Sequence, residues 1–157
     1  MKESARIAEQ ARQVFEGEAW HGPSVLELLQ DVSAAEAAAR PVPGAHSIWE
    51  LALHIGAWEV FVRRRMEGER IVDVPDAEDW PRPGDPSAWE KTREALREGN
   101  RRLREAIAAF DESRFAEPVP GKGWDFGFML RGVVQHDVYH AGQISLLKKA
   151  LRGRMGS

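Results

Sequence analysis

The chain has 157 residues, of which 43% are hydrophobic and 30% charged, and its formal net charge is -3. That size fits one domain, residues 1–157, with a core of its own. The charge balance argues against bulk phosphate binding, which needs a clustered basic surface, and the lack of any Cys excludes disulfides, thiolate metal sites and Cys nucleophiles.

A chain without Cys fits a reducing compartment. The start, Met1-Lys2-Glu3-Ser4, has no apolar stretch of the secretory kind, and no run of ~18 apolar residues is present. A cytoplasmic protein with no membrane segment is expected. The basic stretches Arg63-Arg64-Arg65 and Arg97, Arg101, Arg102, Arg104 lie beside Glu in helical patterns. They read as solvated helix faces rather than a nucleic-acid surface.

The first helix is predicted from about Glu3 to Glu16, with a stripe of Ile7, Ala8, Ala11, Val14 and Phe15. Ser24, after Pro23, is an N-cap for a short helix through Leu29 that would lie as a lid on the bundle. Ser33 with Glu36 repeats a capping-box pattern before the break at Arg40-Pro41-Val42-Pro43-Gly44. Ser47 and Glu50 form the next capping box. They start a long helix through Leu51, His54, Ile55, Trp58, Phe61, Val62 and Met66 that stops near Gly68. Residues 69–86, with Pro75, Pro81, Pro83 and Pro86, form a long crossover loop. Ser87 and Glu90 read as a further capping box for a third long helix ending near Phe110. Its residues Trp89, Leu96, Leu103 and Phe110 follow a strict heptad. Residues 111–125 form a second connection in which Val119 or Trp124 adds at most a short extended piece. The last helix runs from about Phe126 to Leu151. The pattern is that of an all-α four-helix bundle.

His136 and His140 are four residues apart, so both project from one face of the last helix. His54 sits mid-helix among Leu51, Leu53, Ile55 and Trp58, on a segment that must face the core. Bundle interiors are where side chains from facing helices build metal sites. Three imidazoles on one ion leave a coordination position for water or substrate, the open pattern of catalytic zinc. Imidazole also suits nickel, iron and manganese. The alternative is a hydrogen-bonded core trio without metal.

Gln143 shares the face of His136 and His140. It can support a water or substrate there, or be satisfied by backbone. Glu50 is explained by its capping box. Asp137, about 100° around the helix from His136, is a poor direct ligand. It reads as a hydrogen-bond acceptor or a surface salt-bridge residue. Tyr139 reads as a packing residue with its hydroxyl at the rim. His21, in a lone Glu18-x-x-His21, cannot make a di-iron site, and His46 reads as a surface or staple residue. Trp49, Trp58, Trp89 and Trp124 are assigned to the core, with Trp58 a candidate wall of the metal cavity. Trp49 and Trp58 with Phe61 suggest apolar bulk on two faces of their helix, one of which could serve a dimer.

The stretch Gly44-Ala45-His46-Ser47-Ile48-Trp49-Glu50-Leu51-Ala52-Leu53-His54-Ile55 resembles the second-helix motif of the DinB-like (YfiT-like) bundles. Gln135-His136-Asp137-Val138-Tyr139-His140-Ala141-Gly142-Gln143-Ile144 resembles their last-helix motif. The likeness extends over nearly the whole chain, including Trp20-His21-Gly22-Pro23-Ser24. It implies a divalent metal, most often zinc or nickel, on His54, His136 and His140. It also implies an up-up-down-down bundle with a long crossover plus a short extra helix, and a homodimer. Some relatives are transferases or isomerases that use a low-molecular-weight thiol (bacillithiol, mycothiol or glutathione), and DNA binding is not implied. Two functions follow as expectations. One is a metal-dependent enzyme, a thiol-dependent S-transferase or a hydrolase acting on a small molecule. The other is a non-catalytic metal- or small-molecule-binding dimeric bundle.

Overall fold

The computed structural model describes residues 1–154. The elements in chain order are α1 (Glu3–Glu16), α2 (Val25–Leu29), α3 (Ala34–Ala38), α4 (Ile48–Met66), α5 (Asp76–Asp79), α6 (Trp89–Ala109) and α7 (Phe126–Arg154). The long helices α1, α4, α6 and α7 make the bundle. Around it, α4 packs on α6 and α7, and α1 packs on the same two helices. There is no strand among the described residues, only an isolated bridge between Pro118 and Asp125. None of the described helices is long and apolar enough to cross a membrane.

Local chemistry sets the boundaries. Ser24, Ser33 and Ser47 each accept from the backbone N–H three residues on, while Glu27, Glu36 and Glu50 bond back to the cap residue. Orphan donors at three helix starts are thereby satisfied. Gly17, at φ 148°, ends α1. The expected capping box at Ser87 and Glu90 does not form. Pro86 opens a 3-10 turn over Pro86–Ala88, so Ala88 precedes α6 and makes no side-chain cap bond. The predicted heptad holds: Trp89, Leu96, Leu103 and Phe110 are all buried.

The core has two apolar clusters. One gathers Phe15 from the end of α1, Ile48, Trp49 and Ile55 from the start of α4, Trp89 and Leu96 from the start of α6, and Ile144 and Leu147 from the end of α7. The other gathers Ile7 from the start of α1, Val62 and Met66 from the end of α4, Leu103 and Ile107 from the end of α6, and Phe126, Leu130 and Val133 from the start of α7. The shared ends fix the helix directions. α1 and α7 run one way and α4 and α6 the other, giving up-down-down-up. This corrects the up-up-down-down order, because there is one long crossover and it joins parallel helices α4 and α6. Three short helices, α2, α3 and α5, decorate the bundle rather than one.

Trp49 is 1% exposed and its indole N–H donates to Thr92 Oγ at 3.0 Å. Phe61 is also buried. Neither is available to a dimer surface. Trp49→Ala should cost about 3–5 kcal/mol of stability, read as a lower midpoint in urea unfolding; an unchanged midpoint would contradict this core assignment.

Candidate metal centre

Between the two apolar clusters the helices carry buried polar residues at one level: His54 and Glu59 on α4, Asn100 on α6, Asp137 and His140 on α7. The helical period brings His54, from α4, against the His136–His140 face of α7. His136 Nε2 lies 3.0 Å from His54 Nε2 and 3.1 Å from His140 Nε2. The ligand atoms of the three residues lie within 4.8 Å of one another.

The outer ring nitrogens decide what the inner ones can do. His54 Nδ1–H donates to the backbone carbonyl of Asp79 at 2.7 Å. His140 Nδ1–H donates to Gln143 Oε1 at 2.6 Å. A neutral imidazole has one N–H, so the Nε2 atoms of His54 and His140 turn lone pairs inward. His136 can donate to only one of them. Three neutral nitrogens at this spacing could hold one cation between them, and the donor set suits a divalent ion of borderline softness. Burial pushes the His136 and His140 pKa values down to about 4 and lowers that of His54, which keeps the imidazoles neutral and able to ligate.

Asp79 and Trp80 complete one side of the site. The Asp79 carboxylate accepts from Trp58 Nε1–H at 2.7 Å and lies 3.1 Å from His54 Nδ1. Trp80 stacks between two imidazoles, with ring centroids 3.8 Å from His54 and 3.6 Å from His46. The crossover therefore covers His54. His46, exposed on its outer side, is the far leaf of this stack. On the other side, a cavity of about 180 Å³ reaches His136 between α4 and α7. Its walls include Trp58, Val62, Trp124, Met129 and Val133.

The predicted trio of His54, His136 and His140 is thus brought together. Gln143 orients the His140 ring. Glu50 serves its capping box and pairs with Arg40. Tyr139 stays exposed, its ring edge-on to His140, and His21 lies on the surface away from the cluster. Asp137 is corrected: it is 1% exposed rather than a surface ion pair. Its Oδ1, without a hydrogen-bond partner, is 3.5 Å from the equally unpartnered His136 Nδ1. Burial pushes the Asp137 carboxyl up to about 8.

The sequence reading missed Asp79, Trp80, Glu59 and Asn100. Asp79 ends the one-turn helix α5 and Trp80 follows it, in a crossover whose sequence shows no periodicity. Glu59 accepts from Asn100 Nδ2 at 2.7 Å, and Gly99 leaves room for it, since a Cβ there would lie 3.0 Å from Glu59 Oε2.

These features define an all-α bundle with a three-imidazole centre in its interior. The chain belongs to the DinB superfamily, which matches residues 19–144, a stretch that includes all three His. No curated protein and no solved structure matches it.

Burial, reinforced by the Asp137 charge, raises the Glu59 pKa well above its usual value. The unfolded carboxyl then releases its proton at lower pH than the folded one. Stability from this group is present below the unfolded pKa and is lost as pH rises towards the folded one. Glu59→Gln should therefore lose less stability than wild type as pH rises above the ordinary carboxylate range in urea titrations. Equal losses would show that Glu59 ionises normally.

Proposed function

We propose that the chain is a divalent-metal-dependent enzyme acting on a small molecule, with its ion held by His54, His136 and His140. The observation that carries this reading is the convergence of three Nε2 atoms whose outer nitrogens are already anchored or buried. A divalent ion bound there supplies Lewis acidity at a position that three protein ligands leave free. Zinc and nickel suit the donors best.

The chain's own residues supply orientation and access. The Asp79 carbonyl and the Gln143 amide fix the His54 and His140 rings. Trp80 shields His54 from water, and the cavity leaves the His136 side approachable. That access favours an enzyme over a closed structural site. S-transfer with a low-molecular-weight thiol is supported by the DinB relationship, and hydrolysis by the open coordination position. A homodimer belongs to the same reading through the family likeness, and a cytoplasmic location through the absence of Cys.

Metal content by mass spectrometry on untagged wild-type protein should be close to one ion per chain, and lost in His54→Ala, His136→Ala and His140→Ala. No bound metal after adding zinc, nickel or manganese would overturn the reading. Gln143→Leu should weaken metal affinity by about 10–100-fold in chelator competition while leaving the helix content unchanged; full affinity would remove the ring-orienting role.

A further inference from the structure

α7 is apolar on two faces. Its inner face, with Leu130, Val133, Ile144 and Leu147, is buried in the bundle. Its outer face carries Phe128, Tyr139 and Leu146, which are 64%, 65% and 63% exposed. A helix on the surface of a bundle ordinarily turns polar residues to water. The apolar bulk of α4 that suggested a dimer face lies in the core, whereas that of α7 stands outside it.

The outer residues are spaced as a seam. Phe128, Gln135, Gly142 and Lys149 recur every seven residues, and Asp125, Gly132, Tyr139 and Leu146 form a second set with the same period. Two such sets are the a and d positions of a coiled coil. All eight residues are exposed or half-buried. A Cβ at Gly132 or Gly142 would meet nothing within 4 Å in this chain. Each of these glycines costs α7 about 1 kcal/mol relative to Ala, and no contact within the chain requires it. Close approach of another backbone does.

The stripe is palindromic about Asp137. Reversed on itself, it sets Phe128 opposite Leu146, Gly132 opposite Gly142 and Gln135 opposite Tyr139. A second α7 running antiparallel across a two-fold axis therefore meets large apolar residues with large apolar residues. It brings backbones together at paired glycines and gives the Tyr139 hydroxyl an amide to bond. The ends match in charge, with Asp125 opposite Lys149. Their neighbours Arg131 and Lys148 pair within the chain, with Glu3 and Asp31, whereas Asp125 and Lys149 have no ion-pair partner among the described residues. A parallel copy would set Lys149 against Lys149, a repulsive contact that disfavours that pairing.

We propose that the chain pairs with a second copy of itself through this outer face of α7, antiparallel and in the palindromic register. Every pairing then occurs twice, as a two-fold interface requires. Phe128 and Gly132 also line the chamber beside His136, so each copy lays its Gly142 and Leu146 along one wall of the other's chamber. The inference rests on the homodimer of the proposed function and deepens it by naming the face; it needs no metal.

The absence of Cys makes the register directly readable. Gly132→Cys and Gly142→Cys proteins are oxidised separately, and also after refolding together from urea, with chelator present throughout. The mixture should give a disulfide-linked dimer and neither protein alone should. In each single variant the two Cys lie about 15 Å apart along the seam at 1.5 Å per residue, beyond disulfide reach. Wild type should sediment at twice the chain mass, and Leu146→Glu should raise the dissociation constant at least about tenfold with helix content unchanged. Should Leu146→Glu alter the fold, the mixed disulfide decides. Cross-linking of either Cys protein alone would show another register and overturn the inference. A dimer that survives Leu146→Glu and gives no mixed disulfide would overturn this face and leave the homodimer standing. A monomer at every concentration would defeat both, whatever the metal content.

Discussion

The structure depends on a polar layer set across the middle of an apolar core. His54, Glu59, Asn100, Asp137 and His140 are buried at the level where the two hydrophobic clusters part. Buried polar groups are costly unless they find partners. Those partners come from different helices: Asn100 on α6 serves Glu59 on α4, and His136 on α7 meets His54 on α4. A shift of one helix by a turn would leave several of them unpaired together. The layer therefore fixes the register of α4, α6 and α7 more strictly than apolar packing alone, which tolerates rearrangement at similar volume.

That constraint explains the work of the crossover. α4 and α6 run parallel, so the chain must travel the length of the bundle between them. On the way, α5 delivers Asp79 to His54 and Trp58, and Trp80 closes over the His54 ring. The same crossover that sets the topology supplies the groups that orient the His54 ring. At the opposite end, the short bridge between Pro118 and Asp125 holds the chain leading to Trp124 and α7, next to the cavity.

The sequence made the periodic part of this legible. Serine caps with glutamate three residues on marked α2, α3 and α4, and the i,i+4 spacing of His136 and His140 placed them on one face. The Ser87 box failed because Pro86 favours its own turn, a local contest that a four-residue pattern does not register. Asp79 and Trp80 were hidden because loop residues carry no period. Asp137 was read as a hydrogen-bond acceptor or a surface salt-bridge residue, but α7 is not solvated on that side near its middle: it packs on both α1 and α4. Arg65 was a different failure. Read within an arginine run, it looked like surface charge, yet its phase with His54, Trp58 and Val62 already placed it inside.

The surroundings of the three imidazoles are unequal, and this gives the centre a direction. His54 is backed by the Asp79 carbonyl and covered by Trp80, and His140 is backed by Gln143. Only His136 borders the chamber between α4 and α7. The walls of that chamber beside His136, among them Trp58, Val62, Met129 and Val133, are apolar. The groups that hold the His54 and His140 rings, Asp79, Trp80 and Gln143, are not among those walls. The separation is physically economical, because the polar layer and the apolar chamber share α4 and α7 but occupy successive turns.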